Sequence, residues 1–480
     1  MSTLTWRRSI SKPAIEFPLT KLQILEGKIS PSIHGSFYHN GPARLERGGH
    51  PITHWFDGDG AVLGIHFDNG EARAVYKYVQ SKWVTEEEKA DKFLYRGFGQ
   101  TVSGGLFQKL FSREFKNAGN TSVLPLPDKV LALWEGGWPF AMDCKNLDTI
   151  KLDDLGFLKQ GQTFSAHPKV DYETGEIYSI GNRFERGNCY LCLYRCDKNG
   201  KLIKQNEILY RVTMIHDFII AGKYIVIMGF PLKMTQTGGL SYVLGLKSFN
   251  DILEWTPEIG TEVFVFDRNN LSLVKRFTTD PFFVFHYTNG YVEKDGTIYV
   301  EFVKYNTYET VGKYLNAVSH LDQPLPPEYG GSLSYMKIDP EKGRAIELKD
   351  ISDDCFEFPT VADEQVGKKW RYSMFNYNPK SLKFEDMTST GIGRYDHKTQ
   401  SMQTFCYGTD RYAAEPILIN SRNNSDPEEG HILTMVYDAK DHKSEMCIHE
   451  SGALEKGPIC RLLLPEVVPR GFHGRFQHSS

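Results

Sequence analysis

Short runs of apolar, β-branched and aromatic residues recur along this chain, and tight polar turns separate them. The clearest runs are residues 130–134, 177–180, 224–228, 262–266, 297–302, 333–338 and 432–437. The turns between them are rich in aspartate, asparagine and glycine, which tolerate a positive φ or preset a turn. Helical periodicity is rare. The pattern is therefore typical of an all-β chain built from antiparallel hairpins.

The strand pattern covers the whole chain, and no Ser/Gly/Pro-rich linker divides it. A length of 480 residues alone would allow two or three domains. Four-stranded sheets around an axial channel, as in a β-propeller, accommodate such a series of hairpins, and a large β-sandwich is the alternative. We expect residues 1–480 to form one domain.

Two amphipathic segments, residues 104–116 and 238–249, interrupt the strand pattern. Their apolar residues are Leu106, Phe107, Leu110, Phe111, Leu240, Val243, Leu244 and Leu246. In the first segment these residues fall on one side of a helix. Such stretches pack on a protein core, or they sink into the boundary of a lipid bilayer with basic residues at the headgroups. The residues alone leave both interpretations open.

Charge and composition exclude several classes of protein. The formal net charge is −4 and no Lys/Arg run occurs, so the sequence has no basic cluster of the kind that binds nucleic acid. The N-terminus has no continuous apolar stretch, and no segment approaches the roughly 20 apolar residues of a membrane span. No Gly-x-Gly-x-x-Gly phosphate loop is present, so no nicotinamide or flavin cofactor is expected. We expect a cytoplasmic protein.

Four histidines in apolar-flanked motifs are the strongest candidates for chemistry: His167, His216, His286 and His473. Imidazole is the commonest metal ligand in proteins, and a buried polar group without a partner costs roughly 1–3 kcal/mol. One shared metal ion would satisfy all four, and four separate core histidines bonded to backbone are the alternative. Histidines in polar or terminal contexts are predicted at the surface: His50, His54, His397, His442, His449 and His478.

Three glutamates occur where a solvated charge is out of place. Glu135 and Glu415 alternate with the apolar residues of one predicted strand face, and Glu357 lies between two phenylalanines. Metal-bound imidazoles commonly donate their second N–H to a carboxylate, which fixes the tautomer and the ring orientation. We predict this role for the three glutamates. Exposed glutamates at strand ends are the alternative, because glutamate is rarely buried without a partner.

The histidine motifs, in their order along the chain, resemble those of the carotenoid cleavage oxygenases. Further matching blocks are Gly-Ser-Phe-Tyr-His-Asn-Gly-Pro at 35–42, His-Trp-Phe-Asp-Gly-Asp-Gly at 54–60 and Ala-Leu-Trp-Glu-Gly-Gly at 132–137. No single block is specific, but the series covers nearly the whole chain. The resemblance implies a seven-bladed β-propeller, with loops and helices forming a cap over an axial iron site.

The resemblance also implies roles for single residues. One Fe(2+) per chain would be held by the four histidines, with the three glutamates as their hydrogen-bond partners. Thr121 matches a small side chain that crowds one open position on the iron, while O2 takes the other. Trp134, Phe285 and Phe358 match residues that line the cleavage site, although ordinary packing is the alternative for aromatic residues.

The resemblance implies oxidative scission of one C=C bond of a carotenoid or apocarotenoid by O2, which gives two carbonyl products. The polyene supplies the electrons, and it is drawn from a membrane to which the two amphipathic segments attach the protein peripherally. Stilbene-cleaving relatives look to carry lysine where this chain has Trp134, which favours an apolar polyene here. A stilbene-cleaving oxygenase, a non-oxidative polyene isomerase and a propeller that serves only as a binding platform are the alternatives.

Overall fold

A computed structural model describes residues 5–105, 107, 114–186, 188–210, 215–309, 311–312, 315, 330–378, 390–420 and 429–479, without the side chains at 236, 237, 240, 243, 353 and 355. Several predicted residues of the amphipathic segments therefore lie outside the described part of the chain. They are Leu106, Leu110, Phe111 and the side chains of Leu240 and Val243.

The described chain is mostly β-strand, as the hydrophobic pattern predicts. Strands β1 to β17 are Phe17–Lys21, Gln23–Gly27, Gly35–Arg44, Glu46–Arg47, His50–Pro51, Asp59–Asp68, Glu71–Tyr78, Ser122–Pro125, Val130–Leu133, Phe140–Met142, Thr149–Leu152, Lys169–Val170, Ile177–Glu185, Asn188–Cys196, Leu202–Tyr210, Ile219–Ala221 and Tyr224–Gly229. Strands β18 to β34 are Leu232–Met234, Leu253–Trp255, Thr261–Asp267, Leu273–Thr279, Phe283–Val292, Ile298–Tyr305, Gly331–Asp339, Arg344–Thr360, Tyr372–Asn378, Gly391–Asp396, Ser401–Cys406, Arg411–Ala413, Ile417–Asn420, Gly430–Asp438, Lys443–Glu450, Pro458–Leu463 and Gly474–His478. Each of the seven predicted runs overlaps one of these strands.

The described helices are short. Two are α-helices, α1 (Lys82–Ala90) and α2 (Gln236–Val243). The 3-10 helices are Trp6–Ile10, Trp55–Asp57, Asn250–Ile252, Pro257–Ile259, Asp363–Gln365 and Ser451–Lys456. Over the residues that the structure describes, no helix has the length and apolar character needed to cross a membrane.

Five sheets contain almost all of the strands. Their orders are β1-β7-β6-β3-β34, β11-β10-β9-β8, β12-β13-β14-β15, β21-β20-β17-β16-β22-β23-β24-β25-β26-β27-β28 and β2-β33-β32-β31-β29, with β30 also paired to β31. Two short pairs, β18-β19 and β4-β5, stand apart. In the eleven-stranded sheet, β16 and β22 meet through one parallel pair, Ala221 with Gly290. The series of hairpins thus forms five antiparallel sheets, the largest of which is interrupted by this one parallel pair.

The two ends of the described chain share sheets. The N-terminal β3 pairs antiparallel with β34, which contains residue 478, and β2 pairs with β33. Sequential hairpins are therefore not the whole topology, because two sheets are completed by strands from opposite ends of the sequence.

Seven strands contain or closely follow a predicted site residue. Thr121, His167, His216, Glu415 and His473 come just before β8, β12, β16, β30 and β34. The other two, His286 and Glu357, lie inside β22 and near the end of β25. The eleven-stranded sheet contributes three of these strands, β16, β22 and β25, and each of the other four large sheets contributes one.

The core lies between the sheets, and aromatic residues dominate it. In the largest buried cluster, Trp6 and Ile10 of the first 3-10 helix and Trp55 pack with strand residues such as Phe283 and Val300. Strand β22 is buried over eight consecutive residues, which include His286 as well as the apolar residues before it. A strand covered on both faces holds its side chains in fixed positions, and this suits it to carry a ligand.

Candidate metal centre

Four buried histidines converge on one point of the structure: His167, His216, His286 and His473. Each is at most 9% exposed, and one ligand nitrogen from each lies within 4.8 Å of the others. The Nε2 atoms of His167 and His216 are 2.9 Å apart. Residues that are remote in the sequence thus form a cluster of the size and donor type of a metal site.

Local backbone contacts fix where these imidazoles point. The backbone N–H of His167 donates to Ser165 Oγ at 3.0 Å. The N–H of His473 donates to the carbonyl oxygen of Thr121 at 3.2 Å, and its carbonyl oxygen accepts from the N–H of Asn40 at 3.0 Å. In β22 the register with β23 shifts between Val284 and Tyr287, which inserts an extra residue around His286. Such a bulge re-aims a side chain and recurs next to active sites.

Three carboxylates accept hydrogen bonds from the Nδ1 atoms of the clustered histidines. The distances are 2.5 Å from His216 to Glu135, 2.6 Å from His286 to Glu357 and 2.9 Å from His473 to Glu415. A carboxylate that accepts from Nδ1–H leaves the lone pair of the imidazole on Nε2. The three pairs therefore orient the imidazoles so that each Nε2 lone pair faces the centre of the cluster.

Glu357 is buried, and both of its carboxylate oxygens accept hydrogen bonds. Its Oε2 also accepts from the N–H of Phe358 at 2.8 Å, and the hydroxyl of Tyr305 donates to Oε1 at 2.5 Å. Burial alone would raise the pKa of Glu357, but His286, Tyr305 and this backbone N–H outweigh burial and lower it. Glu357 is thus held as a carboxylate. Tyr305 is a site residue that sequence reasoning missed, because a tyrosine in an apolar strand carries no local signal.

The prediction that strand alternation places Glu135 and Glu415 is wrong. Strand β9 ends at Leu133, and the chain then turns, so Glu135 lies outside the strand with a side chain that is 29% exposed. Glu415 lies in the connection between β29 and β30 and is buried. Both glutamates reach their histidines from connections rather than from a strand face.

Burial favours the neutral form of two of the four imidazoles. Burial, and then the three neighbouring imidazoles, lower the pKa of His167 well below its usual value. Burial also lowers the pKa of His473. For His216 burial acts in the same direction, but the nearby carboxylate of Glu135 outweighs it and raises the pKa. Neutral imidazole is the form that binds metals, so the donor set fits a divalent transition-metal ion.

A cavity of about 1090 Å³ opens from the histidine cluster. His216, His286 and His473 form part of its wall, and aromatic residues are the largest group in the remaining lining. A large and mainly apolar cavity accommodates an apolar ligand, and a small number of polar groups can orient it. The cavity leads such a ligand to the clustered imidazoles.

All four residues predicted to form the pocket line this cavity: Thr121, Trp134, Phe285 and Phe358. The ring of Phe285 meets His216 edge-on with centroids 5.1 Å apart, and the ring of Phe358 stacks on His286 at 5.3 Å. Trp134 stacks with Phe115 at 6.2 Å. The Thr121 hydroxyl donates to Asn120 Oδ1 at 3.1 Å. The rings surround the side of the cluster from which a ligand would approach.

Phe358 has an unusual backbone. Its φ is +51°, in the left-handed region, and the register of β25 with β26 shifts between Glu357 and Thr360. A non-glycine residue held there costs about 1–3 kcal/mol, and such strain concentrates at functional sites. The bulge lets neighbouring residues of one strand, Glu357 and Phe358, both reach the histidine cluster.

Two histidines predicted at the surface are buried instead. His54 is 1% exposed and His449 is 0% exposed, and the Tyr407 hydroxyl lies 2.5 Å from Nε2 of His449. The prediction was wrong for these two residues because polar neighbours in the sequence do not exclude burial. Neither residue belongs to the metal-type cluster of the described chain.

Three described residues of the amphipathic segments are exposed. Phe107 is 76%, Leu246 is 52% and Leu244 is 36% exposed, and we call these three residues the exposed patch. Met234, which is 46% exposed, lies next to α2 and also lines the cavity. Both segments thus expose apolar side chains, and one exposed apolar residue next to α2 also lines the cavity.

Comparison with known proteins agrees with this geometry. Apocarotenoid-15,15'-oxygenase of Synechocystis sp. is 31% identical over 467 residues, which cover 95% of this chain and 92% of that protein. Isoeugenol monooxygenase of Pseudomonas nitroreducens is 26% identical over 96% of this chain and 95% of that protein. The crystal structure of cobalt-substituted Synechocystis ACO matches with a TM-score of 0.88 at 28% identity, over 99% of this chain and 98% of that one. The model of the family described as RPE65, retinal pigment epithelial membrane protein, matches residues 10–478, and the chain therefore belongs to this carotenoid oxygenase family.

Proposed function

We propose that this protein is a non-haem iron(II) dioxygenase that cleaves one C=C bond of a carotenoid or apocarotenoid with O2. The observation that carries the proposal is the convergence of four buried histidines, three of which line a large cavity rich in aromatic residues. The similarity to an apocarotenoid oxygenase over nearly the whole chain supports the same substrate class. Two carbonyl products, aldehydes or ketones, result from the scission.

In this proposal His167, His216, His286 and His473 hold one Fe(2+) per chain. Bound iron supplies the activation of O2. Glu135, Glu357 and Glu415 keep the proton on Nδ1 of three of the imidazoles, so each Nε2 lone pair faces inward. Because all four ligands are neutral, the protein adds no negative charge to the inner coordination shell.

The residues of the cavity act on the polyene. Trp134, Phe285 and Phe358 present flat rings beside the histidines, which hold a conjugated chain in one plane and exclude water. Thr121, fixed next to His473 by a backbone hydrogen bond, limits the space at one side of the cluster. The overall reaction is balanced without a cosubstrate, because one C=C bond and one O2 molecule become two C=O groups.

We further propose that residues 1–480 form one seven-bladed β-propeller with the iron on its axis and a cap of loops and helices. The support is the mostly β structure, in which seven strands from five sheets each bring a residue toward the site. The two α-helices and the long connections 79–121 and 230–260 would supply the cap. Small-angle scattering that fits two separated bodies would contradict the single domain.

A phenolic alkene is the second candidate substrate, because isoeugenol monooxygenase resembles this chain over almost its full length. Against it, Trp134 precedes Glu135 where a lysine would polarise a phenol. A phenolic hydroxyl left unpaired in an apolar site costs roughly 1–3 kcal/mol. We therefore place polyenes first.

Peripheral membrane attachment is part of the proposal, with a cytoplasmic location. Its support is the exposure of the three apolar patch residues and the poor solubility that long polyenes have in water. Serine at all three patch positions should reduce co-sedimentation with liposomes and leave cleavage of detergent-dissolved substrate intact. Serine at Ile150, Ile203 and Ile346, which are 58%, 50% and 53% exposed, is the matched control. Equal loss of binding in both variants would contradict a specific patch.

The deciding experiment incubates iron-loaded protein with a panel of carotenoids, apocarotenoids, isoeugenol and resveratrol under 18-oxygen gas. The expected result is cleavage of a polyene, with label in the carbonyl group of both products before exchange. Label in one product would indicate monooxygenase chemistry. Rapid cleavage of resveratrol or isoeugenol, with no polyene cleaved, would overturn the substrate class and leave the metal site intact.

A further inference from the structure

One wall of the cavity is polar, in contrast to its aromatic surroundings. Besides residues of the histidine cluster, the polar residues that line the cavity come mainly from two adjacent segments, 160–165 and the end of β13. They are Gln160, Gln162, Thr163, Ser165 and Asn182. A few convergent polar groups in an apolar cavity fix the orientation of a ligand.

Gln162 is the most deeply placed amide of this wall, with only 7% of the residue exposed. Its Oε1 accepts from the backbone N–H of Lys159 at 2.9 Å, and a backbone N–H can only donate. This bond fixes which end of the amide is oxygen. Nε2, with two N–H donors, makes no hydrogen bond to any residue that the structure describes.

Asn182 repeats this arrangement on the neighbouring strand. Its Oδ1 accepts from the hydroxyl of Tyr210 at 2.5 Å, and burial raises the pKa of that tyrosine well above its usual value, so the hydroxyl keeps its proton. The Asn182 backbone is tied to Thr163 in both directions, through N–H to Oγ1 at 2.9 Å and through its carbonyl oxygen at 3.0 Å. Its Nδ2 donors make no hydrogen bond within the described chain. The two amides thus present donors from adjacent segments.

The wall runs from these amides toward the metal site. Residue 165 bonds to Ile180 of β13 and to the backbone of His167, so the segment continues directly to a clustered histidine. Five residues separate positions 162 and 167, which is at most about 17 Å for an extended chain. Phe184 and Leu152 also line the cavity and are exposed, at 66% and 39%, which places the amides near an opening.

We infer that the Gln162 and Asn182 amides bind a terminal oxygen atom of the substrate, so that this protein selects oxygen-terminated apocarotenoids over hydrocarbon carotenes. The inference rests on the proposed function. An aldehyde or hydroxyl oxygen accepts from the unpaired N–H donors, while the conjugated chain extends along the aromatic wall to the histidines. The fixed distance from the amides to the cluster then determines which double bond reaches it.

The test measures binding to metal-free protein, in which no turnover occurs. Trp55, Trp83, Trp134 and Trp138 line the cavity, so quenching of tryptophan fluorescence reports occupancy. The ligands are an apocarotenal and a methyl-terminated hydrocarbon of equal chain length, and the quantity compared is the ratio of their two Kd values. Each amide hydrogen bond is worth roughly a two- to tenfold preference for the aldehyde.

The variants separate the donor from the fold. Gln162→Leu removes the donors, and Gln162→Glu keeps an acceptor for the Lys159 N–H while removing the donors. Asn182→Asp likewise keeps the bond from Tyr210. Gln205→Leu, at an exposed position of β15, is the matched control and should keep the wild-type ratio.

Each variant of Gln162 and Asn182 should lower the preference for the aldehyde by roughly two- to tenfold, with an unchanged unfolding midpoint for the two acidic variants. Equal affinity of the wild type for aldehyde and hydrocarbon would overturn the inference. A preference that survives in all three variants would also overturn it. Absence of any polyene binding would overturn both this inference and the proposed function, whereas a failure to cleave a tightly bound aldehyde would count against the proposed function alone.

Discussion

Replacing Glu357 by glutamine isolates the contribution of one buried negative charge to metal binding. Glu357 is 5% exposed, and its two oxygens accept three hydrogen bonds, from His286, Tyr305 and the N–H of Phe358. Glutamine has the same shape. Its oxygen can keep the bonds from His286 and Phe358, and its NH2 group can donate to Tyr305 once that hydroxyl has rotated.

The change therefore removes charge rather than hydrogen bonds. A hydrogen bond to a charged group is worth about 1.5–3 kcal/mol, roughly twice the value for neutral partners. Losing half of this for the His286 bond is about 0.8–1.5 kcal/mol, which weakens metal affinity by up to roughly tenfold. That value lies at the low end of the roughly 10–100-fold cost of losing a hydrogen-bond partner of a metal ligand.

The structure also predicts an order among the carboxylates. The side chain of Glu135 is 29% exposed, and solvent screens its charge. Glu135→Gln should therefore lower the affinity for the metal less than Glu357→Gln does. Glu445→Gln is the matched control, because Glu445 is fully buried but pairs with Arg411 and Arg461 away from the cluster. It should lower stability and leave metal affinity unchanged.

Competition with a chelator, under anaerobic conditions, measures the Kd for Fe(2+) in each variant. Circular dichroism confirms that each variant is folded. The reasoning is refuted if Glu357→Gln holds iron as tightly as the wild type, or if Glu135→Gln is the weaker binder of the two.

Alanine at any one of the four clustered histidines should reduce the iron content to well below one per chain, as measured by elemental analysis. His449→Gln, at a buried histidine outside the cluster, should leave the iron content unchanged. Full iron content in any cluster variant would contradict the assignment. The pH dependence of stability should change in His39→Phe, because burial lowers the pKa of His39 from 6.5 to about 3. A folded-state pKa below the unfolded value means that this stability is present above pH 6.5 and is lost as the pH falls toward 3, by up to about 1.4 kcal/mol per unit. In urea unfolding of metal-free protein, the free energy of unfolding should therefore fall less steeply below pH 6.5 in the variant than in the wild type. The same pH dependence in both proteins would contradict this.

The sequence predicts the strands and the histidines well for a shared physical reason. Alternation, turn residues and an imidazole among apolar neighbours are all local properties, and the four motifs retain them although they are far apart. The aromatic lining of the cavity follows from the family resemblance. These features need no knowledge of which strands pair.

Features that depend on pairing were not predictable. The bulges around His286 and Phe358 arise from register shifts with partner strands, and alternation within one strand does not reveal them. Glu135 was assigned to a strand face because the run appeared to continue, but the chain turns after Leu133. Gln162 belongs to no sequence motif, and its unbonded N–H donors become evident only from the structure, in which the Lys159 N–H occupies its oxygen.

The pairing of β3 with β34 has a consequence for the order of folding. His473 directly precedes β34, so the fourth imidazole reaches the cluster only when the two ends of the described chain have met. Closing a loop of roughly 440 residues costs about 3 kcal/mol more than closing a ten-residue hairpin loop, and contacts this remote in sequence form late. We expect a nascent chain to complete its central hairpins first and to acquire high metal affinity as one of the last events of folding.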